Sequence, residues 1–247
     1  MSRTPRFTIS SRLGALFLLA ALPLLSCGTA PLKTYYMLVN ADLEESPDSD
    51  PPLCALGLGM NPLEVAPPFD ISKIIFRPDP LEVRFYTQSQ WVSPPEEMFS
   101  KLIARRIEAA HLFSVVDSSV NISGPHLSLL VKVYAVEEVD DGKEWQGRLA
   151  MNFYLRDEME DELLWKHRFD VKESADKAEV KSVVEVLNRI YNREIGKAVE
   201  SMSAFIKSGG CQLSKGSRDY YEEERRDEPD DEEVKTEEPV EEEPAEE

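Results

Sequence analysis

The chain has 247 residues, 47 Asp or Glu against 28 Lys or Arg, and a formal net charge of -19. That balance excludes a general nucleic-acid binder, which needs a basic footprint. Three cysteines and three histidines, His111, His126 and His167, fall in no zinc-binding spacing. The length suits one domain with a sizeable core.

The N-terminal stretch carries Arg3, Arg6 and Arg12 ahead of the apolar run Leu13 to Cys27, with no acidic residue among them. The run is short for a membrane span, which takes roughly 20 residues. It reads as a secretory signal and is set aside from fold reasoning. Its end, Leu24-Leu25-Ser26-Cys27, resembles the lipobox of bacterial lipoproteins. That resemblance implies cleavage before Cys27 and acylation of its thiol, a covalent lipid being the only added group expected. The alternative is an ordinary cleaved signal with a chance cysteine. Gly28 follows Cys27 where an aspartate would favour inner-membrane retention, so the expected site is the outer membrane, facing the periplasm. Residues 1–26 are then the signal and 27–34 a lipidated tether.

With Cys27 assigned to lipid, Cys54 and Cys211 remain for an oxidising compartment. They form a candidate disulfide; two thiols too far apart to meet are the alternative.

A single domain is expected over 35–212. Tyr35 to Val39 reads as a strand, 41–52 as a polar loop, and 55–66 as a glycine-containing strand. Ile74 to Arg77 and Leu81 to Tyr86 flank a Pro78-Asp79-Pro80 turn. Alternation in the second predicts a buried face of Leu81, Val83 and Phe85. Ser93, two prolines and Glu96 predict a capped helix start, followed by Phe99, Leu102, Ile103, Ile107 and Ala110 at helical spacing. Leu112 to Asp117 reads as a strand.

Residues 127–171 predict a three-stranded antiparallel meander. Leu127, Leu129, Val131, Val133 and Ala135 face inward, Asp141-Gly142 makes the first turn, and Leu149 to Leu155 and Trp165 to Val171 alternate in the same way. A long amphipathic helix is predicted from Asp176 to Ile206, ended by Gly209-Gly210. The fold class is α+β: an antiparallel sheet with two principal helices on one face. Residues 213–247 are expected to be a disordered acidic tail. From Ser217 onward, 17 Asp or Glu face 4 Lys or Arg, a net of -13.

No nucleophile elbow and no phosphate-cradling loop occur, and Gly57-Leu58-Gly59 does not open a helix. His167 reads as a core or edge histidine. No enzyme and no metal site is expected. Tyr35, Tyr36, Phe85, Tyr86 and Trp91 are candidate contacts for a partner or acyl chain; the alternative for Trp91 is a staple between helix and sheet.

Tyr35-Tyr36-Met37-Leu38, the glycine segment Ala55 to Met60, Pro67, Trp91-Val92-Ser93-Pro94 and the long C-terminal helix together carry a resemblance. The chain resembles the ABC-type transport auxiliary lipoproteins of the paraquat-inducible intermembrane-transport type over roughly residues 27 to 207. It departs from that pattern at Phe69-Asp70-Ile71 and in its acidic tail. The resemblance implies a non-catalytic subunit that works with a mammalian-cell-entry-domain protein and an ABC transporter to move lipid between membranes. A lipid-binding carrier and a structural outer-membrane assembly lipoprotein are the alternatives, and a homo-oligomer is compatible with each.

Overall fold

The computed structural model describes residues 32–41, 43, 51–117, 126–140, 142–157 and 159–227. The chain divides into two units, Met1–Lys33 and Thr34–Glu247, and every described element belongs to the second. The expected signal segment, Cys27, and the tail beyond residue 227 lie outside the described residues.

In chain order the elements are β1 (Thr34–Tyr36), β2 (Gly57–Met60), β3 (Glu64–Val65), β4 (Lys73–Asp79) and β5 (Glu82–Trp91). Then come α1 (Pro95–Ala109), β6 (Val116–Asp117), β7 (His126–Asp140), β8 (Trp145–Asp157) and β9 (Glu162–Ser174). The helices α2 (Val180–Phe205) and α3 (Lys215–Asp227) follow, joined through a wide π-type turn at Ile206–Gly210.

β7 is the spine of one nine-stranded sheet. Along one edge it pairs antiparallel with β8, from Ser128↔Arg156 to Asp140↔Trp145, and β8 pairs antiparallel with β9. The predicted meander is therefore present. The other edge of β7 is shared by three parallel strands in turn: β2 at Leu127–Leu129, β3 at Lys132–Val133 and β4 at Glu137–Val139. β6 extends β2 in parallel; β5 extends β4 antiparallel, and β1 extends β5 in parallel. The sheet is thus mixed, not antiparallel throughout. Period-2 alternation reports which side of a strand is buried, not which way its neighbour runs.

Residues on one face of the meander, Leu149, Met151, Phe153 and Leu155, are fully buried, as are Leu129, Val131 and Val133 opposite them. α2 lies across this face and buries Val183, Leu187, Ile190, Tyr191, Ile195, Ala198 and Met202, the apolar stripe that its 3.6-residue period predicts. Gly147 of β8 sits at the crossing. A Cβ there would stand 2.9 Å from Val186 Cγ1 and 3.2 Å from Leu187 Cγ, so only glycine allows this approach. α1 buries Met98, Phe99, Ile103 and Ile107, and the Phe99 ring lies 6.0 Å from that of Tyr191. Both principal helices therefore share one side of the sheet.

Several local expectations are corrected. α1 begins at Pro95 with Pro94 at the cap and no side-chain capping bond; the Met98 N–H reaches Pro94 O at 3.0 Å, so Ser93 falls one residue too early to serve. α2 begins at Val180, four residues after Asp176. Of the expected buried face, Val83 packs against the core, whereas Leu81 and Phe85 turn outward, 97% and 40% exposed. The β4–β5 hairpin buries Ile74 and Ile75, and half-buried Tyr86 and Phe76 pack on each other, their rings 4.7 Å apart. A bulge at Tyr134 shifts the alternation of β7, so Val136, not Ala135, pairs with Leu149 on the helix side. Finally, residues 215–227, which the acidic composition assigns to a disordered tail, form helix α3.

Candidate functional site

β1 ends the sheet and pairs only with β5 among the described residues, through Thr34↔Ser89, Tyr35↔Gln90 and Tyr36↔Trp91. Its outer edge therefore presents backbone groups with no strand beside them, a template for strand addition. Tyr35 is 58% and Met37 57% exposed, with Val39 and Val92 exposed nearby, while Leu38 between them is buried. An extended segment with alternate apolar side chains turned outward is an uncommon surface.

The segment is held firmly from behind. Leu38 N–H points at Met98 Sδ at 3.5 Å. Val39 N–H donates to Asn188 Oδ1 at 2.8 Å and Ala41 N–H to Asn192 Oδ1 at 2.7 Å, and Asn192 Nδ2 returns a bond to Val39 O at 2.9 Å. From the other side, Asn40 Nδ2 donates to Leu102 O at 3.0 Å and Arg106 Nη1 to Ala41 O at 3.0 Å. The Tyr191 hydroxyl donates to Asn40 Oδ1 at 2.9 Å; burial raises its pKa well above the ordinary phenol value. Residues 38–41 are thus clamped by α1 and α2 together.

The other aromatics expected at a contact surface separate. Tyr36 is half-buried, and Trp91 is 1% exposed and part of the core. Trp91 acts as a packing anchor at the end of β5, so the expectation that it contacts a partner is corrected. Phe85 lies in mid-strand, with Lys73 Nζ 5.8 Å above its ring. Tyr86 points to the opposite face, where its hydroxyl donates to Glu138 at 3.0 and 2.9 Å. These residues form no single groove.

Cys54 and Cys211 are joined by a disulfide with Cα atoms 5.7 Å apart. Cys54 also bridges Phe113 as an isolated strand pair, so the bond ties the last turn after α2 to the β2–β6 arm. Just beyond, Asp157 accepts from Ser214 N–H at 2.8 Å and Ser217 Oγ at 2.7 Å. Burial works against its ionisation, but the bonds from Ser217 and Ser214 outweigh that and hold its carboxyl below the usual value. They also pin the first turn of α3 to the end of β8.

Two buried acids escape sequence reading. Glu137 and Glu138 are consecutive on β7 and turn to opposite faces. Glu137 accepts from Arg77 Nε at 3.0 Å and Arg148 Nη1 at 3.0 Å, and Arg148 continues to Asp170 at 2.9 and 2.8 Å. Glu138 lies on the helix side; burial pushes its carboxyl up to about 7, while the Tyr86 hydroxyl pulls the other way. Burial and the neighbouring Glu138 raise the Tyr86 pKa. Two glutamates inside an apolar strand were the available signal. His167 stacks on Trp165 at 5.9 Å on the inner face, and burial lowers its pKa.

Among the described residues no group of three His, Cys, Asp or Glu could hold a metal, and no helix is long and apolar enough to cross a membrane. The described residues form an α+β body with an edge strand and a clamped N-terminal segment. Residues 36–195 match the profile of the ABC-type transport auxiliary lipoprotein component, and the chain belongs to that family. A crystal structure of a Xanthomonas campestris protein of the DUF330 family is similar, with a TM-score of 0.61 and 17% identity over 72% of this chain and all of that one. A second solved structure, of an uncharacterized protein, has a TM-score of 0.55 and 16% identity over 70% of this chain and 99% of its own. Both bear on the fold. No curated protein matches the sequence.

Proposed function

We propose that this chain is a membrane-anchored periplasmic docking subunit, lipidated at Cys27 and held at the outer membrane. It works with a mammalian-cell-entry-domain protein of an ABC-driven intermembrane lipid-transport system. Family membership supports the transport role. The observation that carries docking is the outer edge of β1, which has no strand beside it among the described residues, with Tyr35 and Met37 exposed there. Strand addition there would use main-chain bonds for affinity and the alternate side chains for selectivity. The packed interior between sheet and helices, filled by Trp91, Tyr191 and Phe99, favours docking over carrying cargo.

The test is a photoreactive amino acid at position 35 or 37 in the native host, with position 81 as an exposed control. An adduct with an entry-domain protein from 35 or 37 alone is the expected result. Adducts only with a second copy of the chain, or only from position 81, would refute docking through β1. Labelled palmitate should enter the wild-type chain and not Cys27→Ala; equal labelling would remove the anchor.

A further inference from the structure

The sheet face turned away from α2 carries a charge opposite to that of the whole chain. On β8 and β9 the pairs Arg148↔Lys172, Asn152↔Arg168 and Tyr154↔Lys166 share that face. Arg148 is neutralised by Glu137 and Asp170, Lys132 by Glu64 and Arg156 by Asp161. Lys166, Arg168 and Lys172 are exposed and have no ion pair among the described residues. Of the three, Arg168 lines a depression of about 430 Å³, together with Tyr134, Asn152 and the carboxylate Asp170. Three exposed cations along one strand, interrupted only by Asp170, which Arg148 pairs, are an anion-receptive surface in a chain of net charge -19.

The complementary charge is in the same molecule. Residues 228–247 hold 12 Asp or Glu and one Lys, a net of -11. They continue from α3, whose start is fixed to Asp157 at the end of β8. At 1.5 Å per residue, α3 extends about 20 Å. The following 20 residues reach at most roughly 70 Å when extended. Lys166 to Lys172 spans only about 20 Å of strand, so the acidic segment reaches the cationic row whichever way α3 points.

We infer that residues 228–247 dock in cis on the cationic open face of β8 and β9, with their carboxylates against Lys166, Arg168 and Lys172. The docked segment covers these three cations. The inference is independent of how β1 is used.

Zero-length carbodiimide coupling of the mature chain tests it, because the reagent joins only carboxylates and amines in contact. Expected products are isopeptide links from Lys166 or Lys172 to residues 228–247, lost at about 0.5 M salt. Links found only between isotopically distinct copies would overturn docking in cis, as would no link from either lysine. A full-length chain with the acids of 228–247 changed to Gln or Asn should bind phosphatidylglycerol vesicles at least fivefold more tightly than wild type. Lys166→Gln/Arg168→Gln/Lys172→Gln in that background should abolish the gain. Equal vesicle binding by wild type and the neutralised chain would mean that the face is not occupied, leaving these cations to guard the edge strand against stray pairing.

Discussion

Asn192 grips Ala41: its Oδ1 accepts the Ala41 N–H at 2.7 Å while its Nδ2 donates to Val39 O at 2.9 Å, two residues back. The side chain thereby stands in for a neighbouring strand on one side of the N-terminal segment. Asn192→Ala removes both bonds. At roughly 1 kcal/mol per hydrogen bond, amide exchange at Ala41 should accelerate about fivefold or more, while the Val39 N–H keeps its bond to Asn188 Oδ1, with little change in the meander. Unchanged protection at Ala41 would show that the Asn192 side chain does not hold the segment.

Glu138 gives a stability term with a definite sign. Its folded pKa of about 7 lies above the ordinary 4.5, so the folded state binds the extra proton between those values. The associated stability is full below pH 4.5 and declines as pH rises through 7. Full conversion would be roughly 3 kcal/mol, and partial hydration of the site reduces it to about 1–2 kcal/mol. Glu138→Gln keeps an acceptor for Tyr86 and removes the titration, so its melting temperature should exceed that of wild type at pH 8.5. A variant no more stable there than wild type would count against a strained carboxylate.

The Cys54–Cys211 bond closes 157 residues, worth roughly 5 kcal/mol in the loop-entropy description. Cys54→Ser should lower the melting temperature under oxidising conditions and match the wild type measured in reductant. Equal melting of wild type with and without reductant would remove the bond from the account.

Gly147→Ala should destabilise by about 1–3 kcal/mol, because the added methyl meets Val186 and Leu187 at 2.9 and 3.2 Å. Denaturant unfolding measures this directly. Val186→Ala in the same chain should recover part of the loss, since it removes the nearest atom.

Asp157→Ala should free α3 while leaving the sheet intact, read as faster proteolytic cleavage after Lys215. The carboxyl is held below its ordinary value, so its contribution is present above the unfolded pKa and lost as pH falls through the lower folded one. Wild type should therefore begin to release α3 only in acid, below about pH 4. Cleavage that is insensitive to both the substitution and acid would mean that α3 is held elsewhere.

The meander, the two long helices and the cysteine pairing were legible in the chain because each follows from local periodicity or from a small set of residues. Tyr35 and Tyr36 could be singled out as well, but not their different fates. Trp91 and Tyr86 had the same aromatic signal as Tyr35, yet one became core and the other a partner of Glu138. Acidic composition beyond Ser217 concealed α3, since nothing local shows that Asp157, 57 residues before Ser214, caps its approach.

By itself the sequence determined which segments are strands and helices and which side of most of them is apolar, because side-chain spacing along a strand or helix is a local property. Tertiary structure decided that β7 takes three parallel neighbours on one edge, that the bulge near Tyr134 puts Glu138 rather than Glu137 on the helix side, and that β1 pairs with β5 alone among the described residues. Those outcomes depend on which distant segment arrives beside a given strand and in which direction, and no spacing within a single segment encodes that.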